Sequence, residues 1–209
     1  DARAYRVVSL ANGLVALLVS DPEADEAGAA LSVRAGSFDD SRPGLAHLHE
    51  HMLFLGTKKY SGDDDYEDFL SSHGGGSNAY TGDEETCFYL SVNADELDGA
   101  LDRFAQFFVE PLLSADCVTR EVKAVDSEHA MSLNDDNWRL MSVLKTTVAK
   151  GHPFSKFATG TEATLIPPGE SGETLMRELR RWHEQFYVAE AMRLVVVGKE
   201  SLDELEDVI

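Results

Sequence analysis

The segment Gly44-Leu45-Ala46-His47-Leu48-His49-Glu50-His51-Met52-Leu53-Phe54-Leu55-Gly56 constrains this chain more than any other part of it. Residues four apart on a helix share a face, so His47 and His51 can point at one metal ion with Glu50 on the same side. Pro43-Gly44 offers a helix start, no β-branched residue interrupts residues 45–56, and Gly56 offers a stop. Leu45, Leu48, Leu53, Phe54 and Leu55 predict that the helix is largely buried. Buried imidazoles need partners, so the fold must build something around these side chains.

Two imidazoles, a nearby carboxylate and an open coordination position are what zinc-assisted peptide hydrolysis needs. H-x-x-E-H is the reverse of the H-E-x-x-H zinc protease motif. Two other readings compete with it. The three histidines could lie on the surface of a solvated helix. Alternatively, His47, His49 and His51 alternate, which on a strand would place all three on one face, as in an H-x-H metal-dependent hydrolase.

The composition narrows the class. The 209 residues, 43% of them hydrophobic, suffice for one domain with a real core. A net charge of -20 argues against nucleic acid as a partner, because phosphate binding needs a basic face. The acid is clustered, which suits a solvated surface or a field that attracts basic peptides. No apolar run reaches the length of a membrane span. Cys87 and Cys117 do not make a disulfide framework and read as free buried thiols. Together with a first few residues that lack a signal-peptide core, they point first to the cytoplasm. A mitochondrion or another organelle, after loss of a presequence, is the alternative.

Two apolar runs, residues 5–10 and 14–20, flank Asn12-Gly13, a hairpin signal. Residues 21–28 read as an acidic loop, and 29–36 as a strand with Leu31 and Val33 inward. Tyr66, Phe69 and Leu70 mark a short helix over 63–72. The glycine-rich stretch 73–77 is expected to be a loop, and no Lys-Ser/Thr follows to make it a phosphate cradle. Strands are expected over 78–81 and 86–93, with Phe88, Leu90 and Val92 opposite Cys87, Tyr89 and Ser91. Residues 95–109 form an amphipathic helix whose core stripe is Leu97, Leu101, Phe104 and Phe108. Ser114 caps a helix running to about residue 133. Further helices are expected over 139–150 and 172–187, then a strand over 194–198 and a helix from 201 that the sequence leaves unfinished.

A catalytic zinc usually has three protein ligands and a water. The third ligand should lie on a rigid element beside the motif helix. The stretch Arg120-Glu121-Val122-Lys123-Ala124-Val125-Asp126-Ser127-Glu128-His129 qualifies. Glu121 and Glu128 are two turns apart on one face, with Ala124 and Val125 between them. The spacing leaves open whether they are buried carboxylates at a site or a surface salt-bridge face.

That stretch, residues 43–60, Gly76-Ser77-Asn78-Ala79-Tyr80-Thr81, residues 100–108 and Gly151-His152-Pro153-Phe154-Ser155-Lys156-Phe157 come in one order across nearly the whole chain. With them the sequence resembles the pitrilysin/insulysin (M16) zinc metallopeptidases, the inverzincins, in their insulin-degrading enzyme and nardilysin branch. The resemblance implies an α+β fold, an antiparallel-rich mixed sheet with helices packed on one face, as in LuxS-like metallohydrolases. It makes residues 1–209 a single N-terminal peptidase domain, truncated at its C-terminal end and lacking the homologous domains that follow.

By the same resemblance, His47, His51 and Glu128 bind Zn2+, and Glu50 is the general base that activates the water. Glu121 supports the site by holding a ligand histidine. Asn78, Ala79 and Tyr80 match an edge strand on which an extended peptide substrate adds. A homologous C-terminal domain or partner subunit would close the chamber and bring an arginine and a tyrosine for the transition state. His49 departs from the cysteine or leucine common at that position; facing away from the other two histidines, it is expected to pack or lie on the surface. Two alternatives stand beside the metalloendopeptidase reading. One is a zinc- and peptide-binding fragment, inactive without a second domain or subunit. The other is the strand-borne H-x-H hydrolase, with His49 as a ligand. Phe54, Tyr80 and Trp138 read equally as pocket walls or core.

Overall fold

A computed structural model describes residues 2–209. Strands β1 (Ala4–Ser9) and β2 (Val15–Ser20) form the hairpin expected at Asn12-Gly13, where Gly13 takes φ +92°. β3 (Glu26–Val33) starts earlier than its composition suggested. Ala27 is buried and pairs with Val92, so ladder pairing draws the acidic end of the segment into the sheet. β4 (Gly76–Thr81) and β5 (Thr86–Asn93) form a second hairpin, and the end of the glycine run is strand rather than loop. β6 (Met192–Gly198) completes the sheet.

The strand order is β1-β2-β6-β3-β5-β4, and the β2–β6 pair is the parallel one. It is the antiparallel-rich mixed sheet implied by the resemblance. Leu18, Val196, Leu31 and Phe88 lie on the face covered by helices, whereas Val7 and Tyr89 on the opposite face stay exposed. That alternation is the two-residue period of a sheet packed on one side.

The helices are α1 (Leu45–Leu53), α2 (Asp65–Ser72), α3 (Leu97–Val109), α4 (Ala115–Ser132), α5 (Asp136–Lys145), α6 (Glu162–Leu165), α7 (Gly172–Phe186) and α8 (Leu202–Asp207). Leu97, Leu101, Phe104 and Phe108 of α3 are buried, as their spacing requires. Phe104 and Phe108 join Phe54, Tyr66, Phe88 and Phe107 in an aromatic cluster with ring centroids 4.7–6.2 Å apart. Each such ring adds about 1.5–3 kcal/mol of burial. α5 begins and ends before the span expected for it, and none of its residues is buried. Among the described residues no helix is long and apolar enough to cross a membrane.

α1 is pinned from several sides. It packs against α4, α7 and β4. Its first turn is closed from outside: the buried Asp40 carboxylate accepts from Gly44 N–H at 3.0 Å and Ala46 N–H at 2.8 Å. These are amides a helix start leaves without partners. Burial pushes the Asp40 carboxyl up to about 7, against the pull of those two donors and Lys156. Gly44 has φ +89°, and a Cβ there would collide with Gly160 Cα, so two glycines let α1 and the segment 156–160 touch backbone to backbone.

Candidate metal centre

One turn of α1 carries His47, Glu50 and His51 toward the same cleft, about 580 Å³ in volume. The cleft is also lined by Phe54 and Tyr80, and by Glu121 and Glu128 from α4. The helix reading of the motif holds, so the strand-borne H-x-H alternative falls. His49 points the other way and is 0% exposed.

His47 Nε2 and His51 Nε2 lie 3.3 Å apart. Glu128 reaches both, at 3.4 Å from His47 Nε2 and 3.5 Å from His51 Nε2. Among the described residues these form the one group of three donors close enough to share a metal ion. The outer nitrogens are already engaged. His47 Nδ1 faces the Thr159 carbonyl at 2.8 Å, and His51 Nδ1 faces Glu121 Oε2 at 3.4 Å. Both partners only accept, so each ring places its proton on Nδ1 and turns a lone pair inward. Two imidazole nitrogens and a carboxylate then face one point, a place for a cation, whether proton or metal ion. Four-coordinate zinc, with bonds of about 2.0–2.1 Å, holds neighbouring ligand atoms about 3.3 Å apart. The three donors fit it.

The electrostatics agree with that geometry. Burial pulls His51 down, but Glu121, Glu128 and Glu50 outweigh it and leave the ring above its ordinary value. A proton would settle where a metal would otherwise bind. The His51 hydrogen bond holds the Glu121 carboxyl below its usual range. Burial pushes Glu50 above the carboxylate range, while the Thr81 hydroxyl, His47 and His51 pull it back. Burial and the neighbouring donors thus act on this carboxylate in opposite directions. Glu121 is 14% exposed and Glu128 43%, so the outer carboxylate is the shielded one and the donor opens to the cleft.

The profile of the family described as Insulinase (Peptidase family M16) matches residues 15–153. The chain belongs to peptidase family M16. It is 50% identical over 212 residues to the insulin-degrading enzyme of Mus musculus, covering 100% of this chain and 21% of that one. The peroxisomal insulin-degrading enzyme-like 1 of Arabidopsis thaliana is 48% identical over the same span, 22% of its length. Among solved structures, pitrilysin superposes with a TM-score of 0.94 at 40% identity, over all of this chain and 22% of that one. This M16 chain therefore spans about a fifth of the length of the relatives it matches.

The other residues singled out in the sequence fall around the same cleft. β4 is one of the two edge strands, paired on one side with β5. Asn78, Ala79 and Tyr80 lie on it at the cleft wall, and Asn78 Oδ1 takes the Ala79 N–H at 2.8 Å. Phe54 and Tyr80 line the cleft, whereas Trp138 is exposed beside a separate groove along α5. Cys87 and Cys117 are free; Cys117 is buried and Cys87 is not fully so. Sequence reasoning missed Thr81, whose hydroxyl donates to Glu50 Oε2 at 2.5 Å. The available signal was its place two residues after Ala79, on the same face of a strand at the cleft wall.

Proposed function

We propose that this M16 chain is the metal-bearing domain of a zinc metalloendopeptidase that cleaves extended peptides. The observation that carries it is the trio of converging donors, His47 Nε2, His51 Nε2 and Glu128, beside the buried carboxylate of Glu50. His47, His51 and Glu128 would hold the zinc. Zinc, when bound, supplies Lewis acidity that polarises a carbonyl and acidifies water. Glu50, one oxygen held by Thr81, takes the proton of the attacking water and returns it to the leaving amine. Thr159 and Glu121 fix the ring orientations and tautomers of the two histidines. The free edge of β4 at Asn78, Ala79 and Tyr80 receives the peptide as an added strand, so main-chain hydrogen bonds give the affinity.

The chain covers only about a fifth of its relatives, which supports a second reading. In it the domain binds zinc and peptide and turns over only with further domains or a partner subunit. Both readings are tested by measuring zinc content together with cleavage of a quenched fluorescent peptide. Zinc at one per chain with chelator-sensitive cleavage supports the first, and zinc without cleavage the second. Glu50→Gln should keep its zinc and lose about 10²- to 10⁴-fold in turnover; normal cleavage by this variant would end the assignment of the base.

A further inference from the structure

Each of the three motif side chains is held by a different element outside α1. The segment 156–160 holds His47 through the Thr159 carbonyl, α4 holds His51 through Glu121, and β4 holds Glu50 through Thr81. Among the described residues, Thr81 is the one hydrogen-bond partner of the Glu50 carboxylate. A glutamate side chain has several freely rotating bonds, so a base without an anchor would wander. Thr81 itself is well placed to be that anchor. It ends the β4–β5 ladder opposite the buried Thr86, whose hydroxyl donates to the Ala35 carbonyl. The hairpin tip beyond it accepts from Ser37 N–H and Phe38 N–H through the Gly82 and Asp83 carbonyls.

We propose that Thr81 is the positioning residue for the base, and that β4 acts as a ruler between base and substrate. The inference rests on the reading of Glu50 as the base and of β4 as the peptide-binding edge. Asn78, Ala79 and Tyr80 set where the peptide lies, and the next residue sets where the carboxylate lies. A shift of the strand moves both together and preserves their spacing. Misplacement of a reacting group by 1 Å can cost about 100-fold, so such a coupling protects turnover from motion of the edge strand.

The test is Thr81→Val, which keeps shape and removes the hydroxyl, made in the zinc-loaded protein at its natural full length. The expected result is a fall in kcat of about 10- to 100-fold with KM within about twofold. Zinc content should stay at that of the parent, and Thr81→Ser should restore most of the rate. A crystal structure of the zinc-loaded Thr81→Val protein should show the Glu50 carboxylate turned from its place. An unchanged kcat, a Thr81→Ser protein as slow as Thr81→Val, or an unmoved Glu50 would each overturn the proposal. Normal cleavage by Glu50→Gln would overturn the reading on which this rests, and the crystallographic comparison would then decide the role of Thr81.

Discussion

Two pairs of histidines sit on either side of one helix at the same separation, and their chemistry is opposite. His47 and His51 meet at 3.3 Å in the cleft; His49 and His183 meet at 3.3 Å in the core. The first pair has Glu121 and Glu128 against it. The second has mainly rings and chain: Tyr187 lies 4.4 Å from the His49 ring, and His183 bonds back to the Phe108 backbone, with only a lesser pull from Glu184. Carboxylates lift His51 above its ordinary pKa, while burial drives His49 well below and His183 below theirs. Spacing alone thus says little about a histidine pair. The charges behind the rings decide whether the gap between them calls for a cation or must stay neutral.

Removing a carboxylate from the first pair is the strongest way to break that contrast. Glu128→Ala deletes a donor and should cost more than about 100-fold in zinc affinity, beyond the 10- to 100-fold range of outer-shell partners. Competition with a chelating dye reads it directly. Glu121→Leu leaves all three donors but takes the acceptor from His51 Nδ1. It should weaken zinc by about 10- to 100-fold, and equal affinity would show that the 3.4 Å contact does not orient the ring.

The core pair gives the smallest effect, in stability. An unfolded histidine takes a proton near pH 6.5, whereas buried His49 resists one. Below pH 6.5 the unfolded chain therefore binds more protons than the folded one, and stability falls as pH falls, by up to about 1.4 kcal/mol per pH unit for each such ring. Above that range the pair contributes no slope. In metal-free protein His51 has the opposite sign: the stability it adds is full below pH 6.5 and lost as pH rises through its lifted pKa. His49→Leu should flatten the drop in melting temperature between about pH 7 and pH 5; an undiminished drop would place its source elsewhere.

The parts of this molecule written in local pattern were readable beforehand. Leu97, Leu101, Phe104 and Phe108 announce α3, Ser114 announces the start of α4, and H-x-x-E-H announces a face. Parts that depend on distant chain were not. The start of β3 at Glu26 follows from pairing with Asn93, and the four-residue α6 is tied to Asp126 and Pro43. Glu121 and Glu128 share a face, but which one meets both histidines depends on how α4 crosses α1. Thr81 looks like any strand-forming threonine until β4 is laid beside the motif helix. His49 reads as a possible ligand on a strand and as filler on a helix; the absence of β-branched residues around it favoured the helix, and the fold decided it.

β6 is the last strand of the sheet in sequence and lies inside it, between β2 and β3. During synthesis the β1–β2 hairpin and the β3–β5–β4 unit have no ladder between them until residues 192–198 leave the ribosome. A chain cut short before that point is two small sheets, each with an adhesive edge facing the place the missing strand would fill. Such an intermediate is what chaperones exist to shield, and pairing at this sequence distance is slow. Nascent protein that stalls ahead of residue 192 should therefore be a substrate for quality control rather than a lesser enzyme.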